Sequence, residues 1–357
     1  MLKETMLIVF IDPKCPTPYD SEVLRTRSLG GTEASVIRVA LGLSARHTVK
    51  VLQHNRTEPR VENENLEFLP ISALDTAVRG ADHVVFIQKA QYIDTVVRAG
   101  SARLWLWLHN FLKDEVPFFW QDHLRYKLGI VCVSQTHAAH TLRHMRSLVG
   151  YWATAGLMGR GGLLYQHNPI DEVLAPDPLV LRDPFKLVFF SSPYKGIEHV
   201  VSAFREAHLR EPRLRLYIAD PGYIKKCDPT LLDTPGITTL GSLPQREVLK
   251  HVREALCVFY PQRKRPETFG LVYAEANAVG TPVLAHDFGA AAEILSKRNP
   301  PMDTSQTAVV ETLLDWVRNG GPSVQANPLF GTQFVVDRWL QFFAAPDRFI
   351  REQNLGS

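Results

Sequence analysis

Residues 6–44 read "MLIVFIDPKCPTPYDSEVLRTRSLGGTEASVIRVALGLS", and their order decides the fold. Met6–Ile11 is an unbroken apolar run of strand length. Beyond a polar, proline-bearing stretch and the pair Gly30-Gly31, residues Val36, Val39, Ala40 and Leu43 fall at i, i+3, i+4 and i+7, one face of a helix. A strand that is apolar throughout, rather than at alternate positions, is buried on both faces, as in a parallel sheet covered by helices.

The same unit recurs along the chain. Apolar runs at 48–53 (TVKVLQ), 83–88 (HVVFIQ), 103–109 (RLWLWLH) and 129–134 (GIVCVS) continue a first series. The segment 168–184, rich in proline and aspartate, reads as a linker. A second series follows it: FKLVFF (185–190), a helix from about Lys195 to Leu209, then RLRLYIA (213–219), GITTL (236–240), ALCVFY (255–260) and TPVLA (281–285). The expectation is α/β throughout, with two Rossmann-like, doubly wound domains facing a central cleft. Residues 1–170 form the N-terminal domain and 171–330 the C-terminal one. Residues 331–357 form a C-terminal helical segment that packs back towards the N-terminal domain. In open sheets of this kind ligands bind beyond the carboxyl ends of the strands, so the residues that follow each strand carry the information.

Bulk properties narrow the function. A length of 357 residues calls for two domains, and 45% apolar with 22% charged residues is the balance of a water-soluble globular protein. Lys plus Arg exceed Asp plus Glu by 40 to 37, a net charge of +3, too small and too dispersed for a nucleic-acid binder. Cys15, Cys132, Cys227 and Cys257 lie far apart without metal-ligand spacing, and read as reduced thiols of a cytoplasmic protein, Cys132 and Cys257 within the core. No apolar run approaches the ~20 residues that span a bilayer, and the run near the N-terminus is shorter than that of a signal peptide.

Four strand ends attract attention. Gly30-Gly31-Thr32-Glu33 opens a helix, where paired glycines let backbone amides approach an anion; a plain turn capped by Thr32 is the alternative. His109-Asn110 follows a strand rich in Trp and Leu, and the imidazole faces either a cleft or a satisfied core partner. Lys195 stands after "SSPY" at a helix start, an unfavourable place for a cation unless an anion joins it. The fourth end is "PQRKRPETFGLVYAEANAVG" (261–280). Here Arg263, Lys264 and Arg265 precede Glu267, Thr268 is a plausible N-cap for a helix over 269–279, and the amides of Phe269, Gly270 and Leu271 are left to bind phosphate or sugar oxygens. Glu275 lies about 7.5 Å further along that helix, too deep to be a cap.

These residues resemble those of retaining glycosyltransferases of the GT-B fold, group 1 and family 4-like. Glu267 and Glu275, with seven residues between them in "PETFGLVYAEANAVGTPVLAHDFGAAAEIL", resemble the family's E-x7-E motif. "GGTE" resembles its N-terminal glycine loop, "HNPID" (167–171) its lead-in to the second domain, "KGIEHVVSAFREA" (195–207) its Lys-Gly helix, and "GSLPQREVLKHV" (241–252) its nucleotide-base loop. The resemblance implies that Glu275 bonds the donor ribose and Lys195 neutralises the diphosphate. Gly30, Gly31, Thr268, Phe269, Gly270 and Leu271 line the phosphates and hexose, and Ser242 and Leu243 line the base. Glu267 binds hydroxyls of the transferred sugar, and His109 supports positive charge at the anomeric carbon through its backbone carbonyl. It implies no cofactor and no metal, a UDP- or GDP-hexose donor, and a glycan, glycolipid or small-molecule acceptor.

Relatives carry an arginine five residues before the lysine; here that residue is Phe190, and Arg263 or Arg265 is the candidate replacement. A non-catalytic sugar-nucleotide-binding or scaffold protein, an epimerase and a phosphorylase of the same fold are the other readings. A dehydrogenase would need G-x-G-x-x-G after the first strand, which "SLGGTE" does not supply. The stretch 143–152, RHMRSLVGYW, reads as an ordinary amphipathic helix end; the other reading is a peripheral contact with an anionic inner membrane surface, towards a lipid-linked acceptor.

Overall fold

The computed structural model describes residues 5–112, 119–150, 153–154, 156, 161–220, 229–302, 305–353 and 355. Cys227, and Tyr151 and Trp152 of the 143–152 stretch, lie outside the described residues. The chain divides into two compact units. Unit 1 comprises Met1–Ser21, Ser35–Pro169 and Thr332–Ser357, and unit 2 comprises Glu22–Ala34 and Ile170–Gly331. The Gly30-Gly31 pair thus belongs with unit 2.

Unit 1 is built on an eight-stranded sheet. Its strands are β1 (Leu7–Asp12), β2 (Thr48–Gln53), β3 (Arg60–Asn63), β4 (Leu66–Pro70), β5 (His83–Ile87), β6 (Arg103–Trp107), β7 (Gly129–Cys132) and β8 (Leu163–Tyr165). Their spatial order is β3-β4-β2-β1-β5-β6-β7-β8. All neighbours are parallel except β3 and β4, which form an antiparallel hairpin at one edge. That hairpin and β8 carry too little apolar sequence to stand out beforehand. Val9, Val84, Leu106 and Ile130 join one core beneath helices. The helix Thr332–Ala344 closes the other face, its Trp339 ring 4.8 Å from Trp107 and 6.4 Å from Phe10.

Unit 2 is built on five parallel strands, β9 (Asp183–Phe189), β10 (Arg215–Asp220), β11 (Ile237–Ser242), β12 (Ala255–Tyr260) and β13 (Val283–Ala285), in the order β11-β10-β9-β12-β13. The winding runs outward from β9 in one direction and then from β12 in the other. β9 and β12 therefore flank the topological switch point, where the loops beyond the carboxyl ends diverge and leave a crevice. Together the two units have the Rossmann-like α/β architecture of the GT-B fold. The Cys15, Cys132 and Cys257 thiols are buried. No helix among the described residues is long and apolar enough to cross a membrane. The helix Gln135–Val149 buries Leu142 and Met145 and leaves Leu148 exposed at its end.

Candidate active site

The two loops at the switch point of unit 2 place a cation against a carboxylate. β9 ends at Phe189, and Ser191, Ser192 and a 3-10 turn over Pro193–Lys195 follow. The helix expected from Lys195 begins instead at Ile197, after Gly196 in a left-handed conformation, so Lys195 stands just before the helix rather than on it. β12 ends at Tyr260, and its loop carries Glu267. Lys195 Nζ donates to both carboxylate oxygens of Glu267, at 2.7 Å to Oε1 and 2.8 Å to Oε2. Tyr260 Oη donates to Glu267 Oε1 at 2.6 Å, and Ser191 Oγ lies 3.1 Å from Tyr260 Oη. Glu267 is buried, whereas the lysine side chain keeps 23% of its surface exposed. Two groups, the ammonium and the phenol, thus make three hydrogen bonds to one buried carboxylate.

The helix after Glu267 runs from Leu271 to Ala278. Thr268 is not its N-cap. Gly270 takes that place at φ +86°, ψ +73°, without a side-chain cap bond. The left-handed residue redirects the chain immediately before the helix, so Thr268 falls outside the turn it was expected to cap. A Cβ at residue 270 would also stand 2.5 Å from the Tyr273 ring. The first amides of the helix remain outside its internal ladder, as at any N-terminus. Gly31, the first residue of the helix Gly31–Ser44, lies against the same place: a Cβ there would be 2.9 Å from Leu271 Cδ1. The first residues of two helices, Gly31 and Leu271, are thus neighbours, and each helix start carries amides outside its internal ladder.

Glu275 is buried within the helix Leu271–Ala278 and accepts a hydrogen bond from Gln245 Nε2. Gln245 opens the helix Gln245–Glu254, directly after Ser242, Leu243 and Pro244 at the end of β11. This ties the 241–245 loop to Glu275, a link that sequence spacing does not reveal. The three cations before Glu267 go to different partners. Arg263 Nε points at His286 Nε2 at 3.4 Å, Lys264 pairs with Glu198, and the Arg265 guanidinium lies over the Tyr194 ring at 5.2 Å.

His109 belongs to unit 1, two residues beyond β6. Its ring lies 4.6 Å from that of Trp107, and its amide donates to Gln88 Oε1 at 3.1 Å. Burial, and then the neighbouring His137, push its pKa down to about 3, so the imidazole is neutral at physiological pH. Gln88 itself sits at φ +64°, where non-glycine residues are rare, with Lys89 N bonded to Ile87 O at 2.7 Å. Among the described residues no group of three His, Cys, Asp or Glu side chains converges as metal ligands would.

Residues 185–320 match the sequence model of the family described as glycosyl transferases group 1. A search of curated protein sequences gives no match. Among solved structures the chain is similar to AviGT4, a glycosyltransferase involved in avilamycin A biosynthesis, with a TM-score of 0.64 and 16% identity over 97% of this chain and 98% of that one. It is also similar to sucrose-phosphate synthase from Thermosynechococcus elongatus, at TM-score 0.63 and 14% identity over 97% of each chain. A third is Anabaena HepE, solved in complex with UDP-glucose, at TM-score 0.57 and 16% identity over 97% of this chain and 98% of that one. At these identities the likeness concerns the fold, which is GT-B. The sequence match takes in both switch-point loops of unit 2 and, but for the first two residues of β9, all five of its strands, so over residues 185–320 the chain is similar to the group 1 glycosyl transferases.

Proposed function

We propose that the protein is a retaining glycosyltransferase. It moves a hexose from a nucleoside diphosphate sugar, linked to UDP or GDP, to a glycan, glycolipid or small-molecule acceptor, and it needs no metal ion. The observation that carries this reading is the Lys195–Glu267 pair at the switch point, beside the adjacent helix starts at Gly31 and Leu271. One partly exposed cation, a buried carboxylate and a helix N-terminus form a set of charges suited to a diphosphate bonded to a polyhydroxylated ring. The UDP-glucose complex of Anabaena HepE, which shares the fold, is in keeping with such a donor.

In this reading Lys195 and the amides around Phe269, Gly270 and Leu271 take up the negative charge that grows on the leaving diphosphate. Gly30, Gly31 and Thr268 line the same channel. Glu267 orients the sugar hydroxyls, Glu275 exchanges Gln245 for the ribose, and Ser242 and Leu243 border the base. The bond from the anomeric carbon to the phosphate oxygen breaks, the acceptor oxygen bonds to the same face, and its proton passes to the departing phosphate oxygen. Cations and helix amides supply the electrostatic stabilisation that a divalent ion provides elsewhere. The work is assigned to the cytoplasm, including the inner surface of the membrane when the acceptor is lipid-linked.

A thermal-shift panel of UDP- and GDP-sugars tests the reading, since a ligand that binds only the folded state raises the melting temperature. One donor series should stabilise the protein without added metal, and incubation should then release its nucleoside diphosphate. Stabilisation by no member of the panel would reject the donor class, and stabilisation without turnover would favour a non-catalytic binding protein. The anomeric configuration of the product, followed by NMR from the first turnover, decides retention.

A further inference from the structure

The proton arrangement beneath Glu267 has one consistent solution. Tyr260 Oη carries a single proton, and at 2.6 Å that proton goes to Glu267 Oε1. The contact between Ser191 Oγ and Tyr260 Oη, at 3.1 Å, must then have Ser191 as its donor. Ser191, Tyr260 and Glu267 form a directed chain of hydroxyls that ends on the carboxylate. Tyr260 is 1% exposed, and the Tyr273 ring packs edge-on against it at 5.7 Å. Burial and the charge of Glu267 raise the Tyr260 pKa well above the ordinary phenol value, so the hydroxyl stays protonated and remains a donor.

Lys195 is the most exposed member of this cluster. It is the one with an exposed flank, and it holds Glu267 through both oxygens. A diphosphate that draws the ammonium away removes both of those bonds. Within the chain of hydroxyls, Tyr260 is the donor that still holds the buried carboxylate. A buried carboxylate left without donors would turn away to find others.

Resting on the nucleotide-sugar reading of this site, we propose that Tyr260, oriented by Ser191, is a positioning residue: it keeps Glu267 aimed at the sugar while Lys195 transfers its charge to the donor diphosphate. Tyr260 touches neither sugar nor phosphate in this scheme and acts through Glu267. The cluster thus separates into a switching contact, Lys195–Glu267, and a permanent one, Tyr260–Glu267.

The test uses the full chain with Tyr260→Phe, Ser191→Ala and Ser191→Thr. UDP and GDP binding is measured by calorimetry, and kcat and KM are measured for nucleoside diphosphate release from UDP-glucose and GDP-mannose. Tyr260→Phe should bind the preferred nucleoside diphosphate within about two-fold of the parent, because Lys195 and the helix start are untouched. Its kcat should fall about ten- to a hundred-fold, the scale of a misplaced reacting group. Ser191→Ala should follow in the same direction with a smaller loss, and Ser191→Thr, which keeps the hydroxyl, should restore the rate. If Tyr260→Phe does not fold, the Ser191→Ala and Ser191→Thr pair carries the test. An active parent with unchanged kcat in Tyr260→Phe and Ser191→Ala would overturn the positioning role alone. So would a loss of UDP or GDP binding in step with kcat, which marks a merely structural effect. A parent that binds none of the four probes would remove the nucleotide-sugar reading, and this role with it.

Discussion

Gly289 pairs with Glu267 through the backbone so closely that a Cβ on residue 289 would stand 2.4 Å from the Glu267 carbonyl oxygen. Ala290 N donates to the same oxygen at 2.9 Å, and Gly289 itself lies at φ +71°. Residues that follow β13 thus hold the backbone of the carboxylate that Lys195 and Tyr260 hold by its side chain.

Gly289→Ala should therefore cost about 2 kcal/mol or more, from the left-handed backbone and from the forced separation of the two strands of chain. Transfer should be lost beyond what destabilisation explains, because Glu267 moves. Urea unfolding together with kcat under folding conditions checks this; a stable, fully active variant would contradict it.

Gln245→Ala should separate stability from ligand binding. The bond to Glu275 joins a neutral donor to a buried carboxylate, but Gln245 is half-exposed and water can replace it, so the loss should be about 1 kcal/mol. If a ribose takes the place of Gln245, affinity for UDP or GDP should hold or rise in the variant. Calorimetry that shows affinity falling in step with stability would mean that Gln245 is part of the binding surface.

Among the cations before Glu267, Arg265 is better placed than Arg263 to replace the arginine absent at Phe190. It stacks on Tyr194, the residue before Lys195, whereas Arg263 is directed at His286. Arg265→Ala should weaken UDP or GDP binding about ten-fold, the scale of one charge-assisted hydrogen bond, and Lys195→Ala by more. Binding unchanged in both Arg263→Ala and Arg265→Ala would leave Lys195 as the sole cation.

Acidification should destabilise unit 1. His83 Nδ1 accepts from Trp105 Nε1 at 3.2 Å, and its Nε2 donates to Phe343 O at 3.1 Å, so both nitrogens are engaged in the neutral form. Burial holds its pKa down to about 4, against an ordinary 6.5. Between those values the unfolded chain binds the proton and the folded one does not. The stabilisation is complete above about pH 6.5 and is lost as pH falls to 4, about 3 kcal/mol for His83. His109 adds a contribution of the same sign, and the buried Asp12, whose pKa is raised, opposes it. Melting temperatures should drop steadily from pH 6.5 to 4.5; a flat profile would contradict a neutral buried His83.

The sequence by itself determined the alternation of buried strands and amphipathic helices, because two-face burial demands continuous apolar runs and that demand is local. It also determined which residues follow the strands, among them Lys195, Glu267 and Glu275. It did not disclose the β3–β4 hairpin, whose stretch "RVENENLEFLP" (60–70) carries no long apolar run, nor the left-handed Gly270 that displaces Thr268 from the helix cap. Only the tertiary structure decided the partners. Lys195 and Glu267 are 72 residues apart, Ser191 and Tyr260 are 69 apart, and Gln245 and Glu275 are 30 apart. Such pairs meet because β9 and β12 are neighbours at the switch point and because the loop after β11 reaches the helix Leu271–Ala278. Tyr260 shows the limit most plainly. In the run ALCVFY it is one more aromatic core residue; its hydroxyl acquires a role only when the fold brings a carboxylate to one side of it and a serine to the other.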